Sequence, residues 1–211
     1  GTYFVDLTVE VVAAPTGDPD AFESDNSIEE VTTSETNLLT SDTAQTHSIH
    51  QAGDIDYARI ELSGASDIKV DVAAASNGIV IRLYDVHGTE LSNTEGEAES
   101  KTLSHQNLPA GNYFVSVANT ATPQFIASYE LALTVYAHPS VPANVVATPG
   151  AGTIALSWDA VTPSTGYIVQ YSYSAEGPFE NIDANEGASP LTCTENNLTL
   201  TGLPTAAHTF I

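Results

Sequence analysis

Leu108-Pro109-Ala110-Gly111-Asn112-Tyr113-Phe114-Val115-Ser116-Val117 reads as a tight turn followed by the strand that leaves it. Pro109 fixes its own φ, and Gly111 accepts the positive φ that a tight turn demands. Beyond the turn, Tyr113, Val115 and Val117 fall on one face with period two, the pattern of a half-buried strand. The same alternation recurs outward from this stretch. It appears at Tyr3, Val5, Leu7 and Val9, at Ala58, Ile60 and Leu62, and at Ile68, Val70 and Val72. It returns at Ile79, Ile81 and Leu83 and at Tyr129, Leu131, Leu133 and Val135. The segments between are rich in Gly, Asn, Asp and Ser, and Gly88 marks another turn with positive φ. Helical periodicity is nearly absent. Many short strands with regular turns give an all-β chain of tandem β-sandwiches. Ile60, Leu62, Val70, Ile81, Leu83, Val115, Val117, Leu131 and Leu133 are expected to be buried.

The chain has 211 residues, with 27 Asp and Glu against 4 Lys and Arg, a formal charge of -23. So acidic a surface repels nucleic-acid phosphates and anionic membranes and attracts cations, so no nucleic acid is expected as a partner. No apolar run reaches the roughly 18–20 residues needed to span a bilayer, so no membrane insertion is expected. Cys193 is the single cysteine, which excludes an internal disulfide. Residues 1–12 carry no basic n-region, contain Asp6 and Glu10, and alternate like a strand rather than a signal peptide. With no Met in the chain, the sequence is expected to begin inside a longer polypeptide.

Two proline-bearing segments divide the chain. Residues 13–19 follow the first strand, and residues 137–142 contain His138-Pro139-Ser140-Val141-Pro142. Tyr3-Phe4-Val5-Asp6-Leu7-Thr8-Val9 echoes Tyr129-Glu130-Leu131-Ala132-Leu133-Thr134-Val135 at Tyr, Leu, Thr and Val. The expected layout is therefore a last strand of a preceding module at 1–12, a linker at 13–19, a sandwich at 20–136, a linker at 137–142 and a partial sandwich at 143–211.

Four ordered motifs carry a family resemblance. They are Phe22-Glu23-Ser24-Asp25-Asn26-Ser27-Ile28-Glu29-Glu30, Gly53-Asp54-Ile55-Asp56-Tyr57-Ala58-Arg59-Ile60, Ile81-Arg82-Leu83-Tyr84-Asp85-Val86-His87-Gly88-Thr89-Glu90-Leu91, and the 108–117 stretch. With them, residues 17–136 resemble the bacterial pre-peptidase C-terminal domain, related to the collagen-binding domains of collagenases. Ser24 and Ala58 depart from the family pattern. The resemblance implies a jelly-roll-like sandwich without catalytic machinery, on an extracellular or cell-surface protein. Residues 141–211 resemble a fibronectin type III domain, through Val141-Pro142-Ala143-Asn144-Val145, Thr153-Ile154-Ala155-Leu156-Ser157-Trp158-Asp159, Gly166-Tyr167-Ile168-Val169-Gln170-Tyr171-Ser172 and Leu198-Thr199-Leu200-Thr201-Gly202-Leu203. His208 stands where that family has its corner tyrosine, and the chain stops at Ile211, before a seventh strand.

The residues of chemical interest are acidic. Hard cations such as Ca²⁺ take about six to eight oxygen ligands from carboxylates, amides and carbonyls. Glu23, Asp25 and Asn26 with Asp54 and Asp56 supply that donor type. In the collagen-binding relatives, calcium sits on acidic residues of these two motifs, so the resemblance implies Ca²⁺ at these positions. The competing reading is that Asp25-Asn26-Ser27 makes turn or capping hydrogen bonds and that Asp54 shapes a turn. His47 and His50 face opposite ways on a straight strand and are expected on the surface. Tyr167, Tyr171 and Tyr173 share a strand face, and core or edge packing is expected for them over ligand binding. No nucleophile elbow, zinc-protease motif or phosphate loop occurs, so no catalytic residue is assigned. The expected function is a non-catalytic spacer or accessory region of a secreted or surface bacterial protein, such as a peptidase or adhesin, whose partners are other domains of the same longer chain. The alternative is a module that binds an extracellular protein or polysaccharide with calcium. An exposed aromatic patch on the middle sandwich would favour the second.

Overall fold

The computed structural model describes residues 17–74, 78–94, 100–121, 125–172, 177–181, 185 and 191–202. Residues 1–12, most of the 13–19 segment, Tyr173, Leu203 and the 208–211 stretch lie outside them. The chain divides into two units, 1–137 and 138–211.

Among its described residues, the first unit holds one short helix, α1 (Ile28–Val31), and eight strands: β1 (Gln45–Ile49), β2 (Ile55–Leu62), β3 (Ser66–Ala74), β4 (Ile79–Tyr84), β5 (Glu90–Thr94), β6 (Ser100–Leu108), β7 (Gly111–Asn119) and β8 (Ile126–Ala137). They form two four-stranded sheets, ordered β1-β8-β3-β6 and β2-β7-β4-β5, with every pairing antiparallel. The pairs β1/β8, β2/β7, β3/β6 and β4/β5 nest inside one another. This is the connectivity of an eight-stranded jelly roll.

Period-two alternation accounts for the core. The expected residues are all buried, none above 5% exposed, and Ile49, Ala58, Ile68, Leu103 and Tyr129 join them between the sheets. Strands β2, β3, β4, β7 and β8 stand out in the sequence because apolar residues mark their inner faces. β1, β5 and β6 do not, because they carry mostly polar residues such as Gln45-Thr46-His47-Ser48. The turn into β7 adopts the expected geometry: Gly111 has φ 152, and the Tyr113 hydroxyl donates to Pro109 O at 3.0 Å. That bond ties the strand to its own turn, as a tyrosine corner does.

The second unit contains β9 (Val146–Gly150), β10 (Thr153–Ser157), β11 (Tyr167–Tyr171), β12 (Glu180–Asn181), β13 (Leu191–Cys193) and β14 (Asn197–Leu200). They form two three-stranded antiparallel sheets, β14-β10-β9 and β12-β11-β13. Among its described residues, Ile154, Leu191 and Leu200 pack with Leu156, Val169, Tyr171 and Leu198. Trp158 is buried edge-on against Tyr167, with ring centroids 5.0 Å apart. The Tyr167 hydroxyl accepts Val161 N–H at 2.9 Å, so this tyrosine packs and ties backbone.

Ile81 is fully buried opposite Val117 in the middle of the β4/β7 pair. Ile81→Ala is expected to cost about 2–5 kcal/mol, the usual range for deleting a buried branched side chain. Urea unfolding followed by the near-ultraviolet signal of the first unit's tyrosines measures it.

Candidate metal centre

In the nested sheets, β1 and β2 are consecutive in sequence yet sit at the edges of different sheets. Open edges carry unpaired backbone groups and need cover. The segment before β1 supplies it. Along β1, Gly17 N–H donates to His50 O at 2.7 Å, and Ser48 donates its N–H to Asp20 Oδ2 and its hydroxyl to Asp18 O. Along β2, Tyr57 N–H donates to Asp25 O, Arg59 N–H to Asn37 O, and Leu39 N–H to Arg59 O. Residues 20–26 therefore cross from one sheet edge to the other. α1 follows, and its first turn is closed by a capping box: the Ser27 hydroxyl accepts Glu30 N–H and donates to Glu30 Oε2.

The crossing brings carboxylates together from three directions. Glu23 and Asp25 come from the crossing segment itself, Asp54 from the β1–β2 connection and Asp56 from the inner face of β2. Asp56 continues the buried face of Ala58, Ile60 and Leu62. Its Oδ2 accepts the Tyr129 hydroxyl at 2.6 Å. Ligating atoms of Glu23, Asp25 and Asp56 lie within 4.8 Å of one another, and so do those of Glu23, His50 and Asp54 and those of Asp20, His47 and Asp56. The three groups overlap through Glu23 and Asp56. Asn26 stands at the exposed rim, its Nδ2 3.4 Å from Glu23 Oε2.

His47 and His50 are not surface residues. His47 is 1% exposed and His50 is half-buried. The β1/β8 register shifts between His47 and Ile49, which bends the strand so that both rings turn to the acidic side. His47 lies between Phe22 and Tyr129, at ring distances of 4.2 and 5.5 Å. His50 Nδ1 lies 2.7 Å from Asp54 Oδ2 and 2.9 Å from Glu23 Oε1, though neither contact has the geometry of a hydrogen bond.

The buried atoms Glu23 Oε1, Asp25 Oδ1, Asp54 Oδ1, Asp56 Oδ1, His47 Nδ1 and His50 Nδ1 all lack a hydrogen-bond partner. Buried polar atoms are normally paired, so this convergence is a signal. Burial, reinforced by Glu23, Asp20 and Asp54, pushes the Asp25 carboxyl up to about 8. Burial likewise lifts Asp56 to about 9 against the opposing Tyr129 hydrogen bond, and burial with Asp54 nearby raises Glu23. Burial pushes His47 down to about 4, although Asp20 and Glu23 pull the other way. Burial thus favours the protonated form of Asp25 and Asp56, and a bound cation is the kind of group that would displace such protons. Arg59 instead pairs with Glu35 and Glu61, Lys69 with Asp71 and Arg82 with Glu90.

Of the residues singled out in the sequence, Glu23, Asp25, Asp54 and Asp56 meet, and Asn26 borders them. Ser27 takes the capping role, and Asp54 also accepts His50 N–H at 2.8 Å, closing the β1–β2 turn. Asp20, His47, His50 and Tyr129 join the site unforeseen. Asp20 sits in the crossing segment, and the histidines sit on a strand too polar to stand out.

A family model described as a secretion system C-terminal sorting domain matches residues 62–127, from the end of β2 to the start of β8. The protein is extracellular or cell-surface. No curated protein matches the chain. Among solved structures, it is similar to the pre-peptidase C-terminal domain of a collagenase from Bacillus anthracis, at 18% identity and TM-score 0.38, over 46% of this chain and 90% of that one. It is also similar to the adhesin domain of Epf from Streptococcus pyogenes, at 14% identity and TM-score 0.29, over 75% of this chain and 64% of that one. A β-glucuronidase from Ruminococcus gnavus aligns at 13% identity and TM-score 0.25, over 69% of this chain but only 28% of the enzyme's length.

Asp25→Asn keeps the shape and the acceptor for Asn37 while removing one of the crowded carboxylates. In chelator-treated protein it is expected to melt at or above the wild-type temperature, as scanning calorimetry would record. A melting point several degrees lower would mean that Asp25 serves the turn alone.

Proposed function

We propose that the chain is a non-catalytic accessory region of a secreted or surface protein, in which Ca²⁺ fastens the crossing segment 20–26 to the edges of both sheets. The observation that carries this reading is the set of buried, unpartnered oxygens on Glu23, Asp25, Asp54 and Asp56. Carboxylate oxygens are hard donors suited to a hard cation, and Asn26 at the rim adds an amide oxygen of the same class. A bound ion would join an N-terminal segment, one strand edge of each sheet and the turn between them. It would thereby stiffen the point where a preceding domain of a longer chain enters the sandwich. The parent would be a peptidase, an adhesin or another exported protein whose working domain this region holds at a distance.

The surface supports a spacer over a ligand platform. Among the described residues of the first unit, the exposed large apolar side chains are Val86 and Tyr136. That is too little for the aromatic patch that sugar or peptide capture uses. The acidic surface keeps the chain soluble.

Calorimetric titration of Ca²⁺ into the chelator-treated chain is expected to release or absorb heat and to raise the melting temperature. An ion at about 100-fold its Kd adds about 2.7 kcal/mol of stability when it binds only the folded state. Asp56→Asn is expected to abolish most of the shift. No heat and no shift at millimolar Ca²⁺ would retire the calcium reading.

A further inference from the structure

The environment of His47 assigns its tautomer. Gln45 Nε2 donates to Thr36 O at 3.2 Å and to Leu38 O at 3.1 Å, so both amide protons are used and Gln45 Oε1 faces the other way as an acceptor. His47 Nε2 lies 3.1 Å from that oxygen. The ring proton is therefore on Nε2, and Nδ1 presents a lone pair. An imidazolium would draw a carboxylate to about 2.7–2.9 Å. Instead Nδ1 stands 3.6 Å from Asp25 Oδ2 and 3.9 Å from Asp20 Oδ2, with no hydrogen-bond partner. A lone pair thus faces carboxylate oxygens across a gap at the edge of a ring held between Phe22 and Tyr129.

That gap is a few tenths of an ångström wider than the spacing of two ligands on a shared ion. Two ligands at about 2.0–2.1 Å from a tetrahedral zinc stand roughly 3.3 Å apart. The other ring nitrogen already has the partner that metal-bound histidines use, an N–H donated to a carbonyl that fixes the ring's orientation. Asp20 and Asp56 complete a triad with His47 Nδ1, and Asp20 keeps the site in touch with solvent, its side chain 14% exposed. Imidazole nitrogen with carboxylate oxygens suits borderline first-row divalent ions better than calcium.

We propose that His47 Nδ1, with carboxylate oxygens of Asp20 and Asp56, forms a site for a divalent first-row transition ion of the zinc class. This rests on the metal reading above and changes its ion and its donor set. Glu23, His50 and Asp54 form a second nitrogen-bearing triad at the other end of the cluster.

The test uses the chelator-treated 211-residue chain, Zn²⁺ and Ca²⁺ in separate titrations, and two-bond proton–nitrogen spectra of the histidine rings. Without metal, His47 is expected as the Nε2–H tautomer. One equivalent of Zn²⁺ should move its Nδ1 resonance, and Ca²⁺ should leave it in place. His47→Gln should weaken zinc at least ~10-fold in calorimetry, the scale of losing a supporting group or more. The spectra read the wild-type chain, so they decide even if that variant unfolds. Zinc that leaves His47 Nδ1 unmoved, or that moves only His50, overturns the assignment. Calcium heat without zinc uptake overturns this inference and keeps the calcium reading. Zinc at His47 in a chain indifferent to calcium does the reverse.

Discussion

The nested antiparallel pairing of the first unit is the constraint from which its other features follow. Four strand pairs folded inside one another place β1 and β2, neighbours in sequence, at the edges of opposite sheets. Among the described residues no strand covers the outer side of either edge, and an uncovered edge exposes donors and acceptors that must be met. The chain meets them with the residues that come before β1. Once residues 17–20 lie along β1 and residues 37–39 along β2, the stretch between has to cross the opening between the sheets.

That crossing explains why, among the described residues, the buried carboxylates gather here. The described acidic residues are mostly exposed or half-buried, and the buried cation Arg59 has its carboxylates at hand. At the crossing, Asp25, Asp54 and Asp56 are each no more than 4% exposed. Their mutual repulsion and desolvation oppose folding in the absence of a countercharge. On the proposed reading, a cation would convert the same groups into a clamp between two sheets. A spacer would gain from such an arrangement, because its stiffness would then depend on an ion supplied by the medium outside the cell.

Much of the fold was legible in the sequence. Apolar alternation marks β2, β3, β4, β7 and β8, and the buried faces it implies are the ones observed. Asp56 even carried a local signal, since it occupies the same period-two face as Ala58 and Ile60 and puts a carboxylate where a core residue belongs. The polar strands were not legible. Gln45-Thr46-His47-Ser48-Ile49 has one apolar residue, so nothing in its composition announces a strand or says which way His47 points.

The sequence by itself determined the class of fold, the core faces, the turns at Gly88 and Gly111, and the acidic residues competent to hold a cation. Those are local properties, set by side-chain period, backbone freedom and charge. Tertiary structure alone decided that His47 and His50 belong with the carboxylates. It did so through a register shift on β1, two carbonyls that orient Gln45, and a Tyr129 contributed by a strand more than seventy positions away. None of these is encoded in the spacing of neighbouring residues, because each depends on which sheet edge the crossing segment must close.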